Sequence, residues 1–208
     1  MRTMPTALLC LGLISLGAGA EELPFLKPTV SYTGLRVIQS PEGEFRQRVF
    51  WTPDKVRTET DMPGMSMTNI VREDLGVMWI LPKDGGMCLE QTLLDNEAMS
   101  MAPGSEAYDP ADMDFREVGS ETIEGRKVTK YEVTSSGETG LERALFWVTE
   151  ENIPIRMEVE PAAGGVQQTV TIILTELAIG PQADELFESG VECRPMPPMP
   201  QGAPLPGN

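Results

Sequence analysis

Histidine is absent from this sequence. Without it there is no imidazole base and no Ser-His or Cys-His pair, and the commonest metal ligand is missing. Positive charge is scarce as well: 16 Lys and Arg stand against 32 Asp and Glu, a formal net charge of −16. Such a chain repels nucleic acid and anionic headgroups, so a nucleic-acid partner is excluded. The acidity suits a solubilising surface, or docking on an envelope complex. Long apolar runs are missing after the first twenty residues, and no stable membrane insertion is expected. No phosphate-cradling loop occurs either. Gly85-Gly86 and Gly164-Gly165 are turn glycines. Lys127 and Lys130 in "GRKVTKYEV" read as a wet strand edge rather than a catalytic amine. The chain is therefore not expected to be an enzyme, and no cofactor is expected.

What is present begins with an export signal. Arg2 precedes an apolar run from Ala7 to Leu16, and Ala18-Gly19-Ala20 offers a cleavage point before Glu21. Residues 1–20 are expected to be removed after Ala20 and the product to be periplasmic. Cys10 lacks the small residue expected just ahead of a lipidated cysteine. Cys88 and Cys193 remain, and in an oxidising compartment an even pair reads as a disulfide. It would close a loop of about 105 residues, worth on the order of 4 kcal/mol in the chain-entropy model. Two free thiols are the alternative.

Period-two patterning dominates the rest. In "EFRQRVFW" Phe45, Val49 and Trp51 share one face, with Arg46 and Arg48 on the other. In "IPIRMEVE" Ile153, Ile155, Met157 and Val159 alternate with polar residues or proline, and in "VQQTVTIILTEL" Val166, Val170, Ile172 and Leu174 share a face. These are half-buried antiparallel strands. "LGVMWILP" (75–82) and "LERALFWVT" (141–149) are apolar on both faces and read as central. Short turn-like segments such as "TPD", "KDGG" and "EGR" separate successive strands. The count is about ten strands. Helix is scarce: the spacing of Leu89, Leu93, Leu94, Ala98 and Met101 predicts a helix over 89–101, and "PQADELFE" (181–188) predicts one short turn. The Pro/Met-rich segment 194–208 is expected to be a disordered tail after a single domain over 21–193. One short helix cannot cover the apolar face of so large a sheet, so the sheet must curl or leave a groove fit for an apolar ligand.

Four blocks, in order, carry a resemblance: "GVMWILPKDGGMCLEQ", "GSETIEGRKVTKYEV", "LFWVTEENIPIRMEVE" and "LTELAIGPQADELFE". Together they resemble an uncharacterised periplasmic family of the LolA-like superfamily, which includes the outer-membrane lipoprotein carriers and sorting proteins. The resemblance runs over most of residues 29–188. It implies a bent antiparallel half-barrel whose concave apolar face is lidded by helices, and a cavity that holds acyl chains. Two departures stand out. "EELPFLKPTV" is too short and Pro-interrupted for the usual N-terminal helix, and "ESGVECRPMPPMP" replaces the family's aromatic-rich end.

Methionine is abundant, with 13 in the chain. Met62, Met65 and Met67 in "DMPGMSMTNIVRED" are spaced like soft-metal ligands and could hold Cu(I) if they converged. Met65 and Met67 share a face with Val71, while Met62 falls on the opposite parity. Flexible methionines equally suit a surface that re-packs around apolar guests, and that reading is preferred. Asp109, Asp112 and Asp114 offer hard oxygens for Ca²⁺ but lack the EF-hand spacing, and read as a solvated loop.

The sequence thus describes a periplasmic carrier for an acyl chain, lipid or lipidated protein, with a possible envelope protein as partner. The residues expected to line a hydrophobic groove are Phe45, Val49, Trp51, Met65, Met67, Trp79, Leu93, Leu94, Trp147, Ile155 and Met157. A Cu(I)-binding or stress protein using the three methionines is one alternative. A non-catalytic envelope interaction module is another.

Overall fold

The computed structural model describes residues 27–41, 43–62, 65–83, 86–93, 113–135, 141–161 and 169–196. Alternating β-branched and polar residues build β1 (Tyr32–Ser40), β2 (Gly43–Trp51), β3 (Lys55–Met62), β4 (Met65–Arg72), β5 (Val77–Pro82) and β6 (Leu89–Thr92). These form a first meander. A second follows, with β7 (Met113–Ile123), β8 (Arg126–Ser135), β9 (Leu141–Val148), β10 (Pro154–Pro161) and β11 (Val170–Ile179). β11 pairs antiparallel with β1, so the two meanders fuse into one sheet, and β12 (Arg194–Pro195) adds parallel to β6. The spatial order is β12-β6-β5-β4-β3-β2-β1-β11-β10-β9-β8-β7. The sheet is open and strongly curved, a half-barrel.

Bulges account for much of the bend, since an extra residue on one strand sharpens the local twist. They lie at Thr33/Leu35 opposite Glu176, at Pro154/Arg156 and at Glu117/Gly119. Glu176 has φ of 53°, a left-handed conformation that the bulge imposes on a non-glycine residue. Gly34 is favoured for a different reason. A Cβ there would stand 2.6 Å from Leu174 Cδ1 and 3.2 Å from the Thr175 carbonyl oxygen, so any larger residue would push the Leu174 side chain aside.

From β1 to β6 the register is unbroken, which fixes the faces. Tyr32, Trp51, Val56, Val71 and Met78 form one cross-strand row, and Val49, Thr58, Asn69 and Ile80 the next. This inner face carries the core. Tyr32, Ile38, Val49 and Val71 are at most 1% exposed. Tyr32, Val49, Leu174, Ile155 and Trp147 belong to one packed cluster, and Ile38, Met157 and Ile172 to another, with Phe45 and Phe146 against it.

The opposite face of β3–β5 is covered by the C-terminal segment. A short 3₁₀ turn, Asp184–Phe187, places Phe187 in a fully buried position. Arg57 donates to the Leu186 carbonyl at 2.9 Å and Arg72 to that of Phe187 at 3.3 Å. Arg72 also pairs with Asp74 at 2.8 Å and Glu188 at 3.0 Å, and lies over the Trp79 ring. Further on, the Cys88–Cys193 disulfide and the β12–β6 pairing hold the chain end.

Several sequence expectations change here. Among the described residues the sheet has twelve strands, close to the expected count of about ten. Leu89–Thr92, the start of the predicted helix, is β6: Leu89 pairs with Ile80 and Gln91 with Met78, and hydrogen bonding to two neighbours overrides the helical spacing. Residues 94–101 lie outside the described residues. Arg194–Pro195 are strand rather than tail, because the disulfide brings them beside β6. "LGVMWILP" begins as a 3₁₀ turn, Glu73–Leu75, closed by Gly76 with φ of 66°. β8 is internal, flanked by β7 and β9, so Lys127 and Lys130 are not at a sheet edge. The turn expected over 181–188 is present.

Candidate ligand-binding face

The inner face is apolar at both ends and polar in the middle of β1–β4. Arg36 lies between Gly34 and Ile38 in β1, on the parity of Tyr32. Its cross-strand partners are Gln47 on β2 and Leu174 on β11. The Arg36 guanidinium donates from Nη1 to Gln47 Oε1 at 3.3 Å, and Gln47 Nε2 donates to Thr60 Oγ1 at 3.1 Å. Thr60 is 6% exposed and Thr58 2%. In the neighbouring rows Thr58 Oγ1, Asn69 Oδ1 and Trp51 Nε1 are buried with no hydrogen-bond partner among the described residues. Leaving a buried polar group unsatisfied costs about 1–3 kcal/mol. Three of them on one face of one sheet mark a place where something polar can be accommodated.

Carboxylates are kept off this face. The inner positions of β1–β6, and of β10 and β11 next to β1, hold no Asp or Glu. Glu44, Glu59, Asp61 and Glu90 all fall on the outer parity. The outer face carries the ion pairs, such as Arg57 with Glu59 at 2.8 Å and Lys55 with Asp184 at 2.9 Å. Asp74 is held below its ordinary value, first by the hydrogen bond from Arg72. Glu132 on β8 is lowered chiefly by Arg143 and then Arg116.

The residues expected to line a groove separate into groups. Val49, Trp147, Ile155 and Met157 are 0%, 4%, 5% and 7% exposed and belong to packed clusters. Phe45 and Trp51 are half-buried at the cluster margins. Met67 is half-buried on the inner face, paired with Thr60 and Pro82. Trp79 is on the other face. It alternates with Met78 and Ile80, donates to Glu90 Oε2 at 2.9 Å and lies beneath Arg72. Leu93 is half-buried just past β6, its N–H donating to the Gly76 carbonyl at 2.9 Å. Met65 is in β4, and Leu94 is outside the described residues. Trp147 is sandwiched by cations, with Lys130 Nζ at 4.5 Å and Arg156 Cζ at 4.9 Å from its ring, and its Nε1 donates to Glu121.

The register pairs Met62 with Met65 directly, so the Met62 position lies on the same parity as Met65 and Met67, not the opposite one. Among the described residues no three His, Cys, Asp or Glu side chains gather at a metal-binding distance. Asp114 is exposed in β7, while Asp109 and Asp112 lie outside the described residues.

Arg36, Gln47, Thr58, Thr60 and Asn69 were not singled out from the sequence. The signal was there: Gln47 stands between Phe45 and Val49, and Arg36 has the parity of Tyr32 and Ile38. A polar residue at the apolar phase of a strand is the readable mark of an inward polar group.

No family model and no curated protein sequence matches the chain. Solved structures do. An uncharacterised conserved protein of Thermus thermophilus superposes with a TM-score of 0.55 at 13% identity, over 81% of this chain and 90% of that one. MucB of Pseudomonas aeruginosa, from its MucA/MucB complex, gives 0.52 at 18% identity over 81% of this chain. The chain spans 59% of that MucB. A LolA superfamily protein of Nitrosomonas europaea matches over 80% of this chain and 94% of its own, at 12% identity and a TM-score of 0.44. The fold is LolA-like. At these identities the likeness is one of architecture alone, carried by the superpositions on the Thermus thermophilus protein and MucB. It agrees with the half-barrel that the sequence blocks imply. Among the described residues of this LolA-like sheet, no helix is long and apolar enough to cross a membrane.

Proposed function

We propose that this protein is a periplasmic, non-catalytic binding or carrier protein that holds an acyl-bearing ligand, a lipid or a lipidated protein, against the inner face of its half-barrel. One observation carries the reading. The inner face of a single curved sheet is apolar across both meanders yet contains buried polar atoms with no partner among the described residues. A core sealed for stability alone would satisfy or omit those atoms. A surface that receives an amphiphile has use for both kinds. The export signal in residues 1–20 supports the periplasmic setting, and the LolA-like fold supports the carrier role.

A fluorescent long-chain fatty-acid probe tests the proposal. It should bind the mature protein saturably. Met67→Asp places a charge on a half-buried inner position and should abolish binding while the protein stays folded. Val49→Asp, at a fully buried position, should unfold it, since an unpaired buried carboxylate costs several kcal/mol. A parent protein that binds no probe would refute the carrier reading.

A protein partner is the second reading. The likeness to MucB, whose solved structures include a complex with MucA, is what favours it. Pull-down of a defined envelope protein by the folded chain, unaffected by Met67→Asp, would support that reading over the first.

A further inference from the structure

We infer that Arg36 binds the carboxylate of a single long-chain fatty acid whose hydrocarbon chain lies along the apolar inner face. The inference rests on the acyl-binding reading above and adds the chemistry of the head group.

The charge pattern is the first argument. Arg46, Arg48, Arg57, Arg72, Arg116, Arg143 and Arg156 each pair with a carboxylate. Arg36, Arg126 and Arg194 make no ion pair among the described residues: Arg126 bonds the Leu177 carbonyl, Arg194 is exposed, and Arg36 bonds the neutral Gln47. Acids are not in short supply, at 32 against 16 bases. They are absent because the inner positions around Arg36 exclude them. A half-buried guanidinium on an apolar face, in a strongly acidic protein, is among the described residues a cation without its anion.

The second argument is how Arg36 is held. The Gln47 carboxamide is oriented from both ends, its oxygen accepting from Arg36 and its nitrogen donating to Thr60. Thr60 Oγ1 therefore serves as the acceptor and keeps its own proton to donate. Among the described residues the buried hydroxyl of Thr58, two residues along on the same face, has no partner, and the Trp51 indole N–H in the next row has none either. A guanidinium fork flanked by neutral donors matches an oxyanion with two coplanar oxygens.

The third argument concerns size and charge. The described inner face around Arg36 presents one cation, which neutralises one negative charge. A phosphomonoester dianion would leave charge uncompensated in an apolar setting. Next to Arg36 on the same face stand Ile38 and, across the strands, Phe45, Ile172 and Met157, which pack as one apolar cluster. Ile38, Ile172 and Met157 are at most 7% exposed, so a chain leaving the carboxylate in that direction lies over the half-buried Phe45 and Val170 at the margin of that cluster.

The test compares cis-parinaric acid with its methyl ester by fluorescence titration of the mature protein at neutral pH. The acid should bind about tenfold more tightly or better, the usual scale for a charge-assisted contact. Arg36→Met keeps the side-chain bulk and should remove that preference while leaving ester affinity and the urea midpoint nearly unchanged. Millimolar inorganic phosphate should not displace the acid. Equal affinity for acid and ester in the parent would overturn the assignment and leave acyl binding standing. That comparison needs no variant to fold. A preference for the acid that survives in folded Arg36→Met, or displacement by phosphate, would also overturn it. Failure of both probes to bind would remove the acyl-binding reading itself.

Discussion

Cys88 and Cys193 are bonded across 105 positions of sequence, with their Cα atoms 4.5 Å apart. The bond sits where Arg194 N–H donates to the Cys88 carbonyl and Met196 N–H to that of Glu90, both on β6. It therefore fixes residues 193–196 against the four-residue strand β6. Replacing both cysteines by serine should lower the free energy of unfolding by about 2–5 kcal/mol. Urea denaturation of oxidised parent and variant measures this. An unchanged midpoint would show that the C-terminal segment is held without the bond.

Phe187 carries the other half of that attachment. It is fully buried, with the Lys55 ammonium 6.0 Å from its ring centre and the carbonyls beside it bonded by Arg57 and Arg72. Phe187→Ala should cost about 3–5 kcal/mol, the range for removing a buried aromatic ring. A loss below 1 kcal/mol would mean that the segment does not close the outer face.

Acid should weaken the molecule through specific carboxylates. Asp74 and Glu132 have folded-state values lowered mainly by hydrogen bonds from Arg72 and from Arg143. A lowered carboxylate stabilises fully above its unfolded value, about 3.9 for Asp and 4.3 for Glu, and that contribution is lost as pH falls through the folded value. The net negative charge acts in the opposite sense, since acid relieves self-repulsion, so the comparison must be between variant and parent. Asp74→Asn should be less stable than the parent at pH 7 and converge with it below about pH 4. Curves that stay parallel as pH falls below about 4 would contradict the role given to Asp74.

Trp79 and Trp51 should behave differently, because they stand on opposite faces. Trp79→Phe removes the hydrogen bond to Glu90 on the outer side and should leave acyl-probe affinity unchanged, with a stability loss of about 1–2 kcal/mol. Weakened probe binding in that variant would place the ligand on the wrong side of the sheet.

That contrast shows where the sequence was legible. Strand periodicity in "EFRQRVFW" placed Phe45, Val49 and Trp51 on one face correctly, because period two fixes faces within a strand. It could not phase "GVMWILP" against its neighbours. With apolar residues on both parities, only the pairing of Ile70 with Trp79 shows that Trp79 faces outward, towards Arg72. Met62 was misplaced for a related reason: the hairpin pairs it with Met65, and parity does not run through a turn. The cysteine pair was readable from compartment and count. β6 was not, since its strand state depends on β5 and on a chain end 105 residues away. Hydrophobic periodicity does not mark the polar strip of Arg36, Gln47 and Thr60, because its sign is a polar group in the apolar phase of a strand.

The most direct test of the central claim is native mass spectrometry of the protein purified from its own periplasm. The account predicts a complex heavier than the mature chain by the mass of an acyl-bearing molecule, released on denaturation and recoverable by organic extraction. A native mass equal to the disulfide-bonded apo chain, or an added mass that stays in the aqueous phase and matches copper, would contradict it.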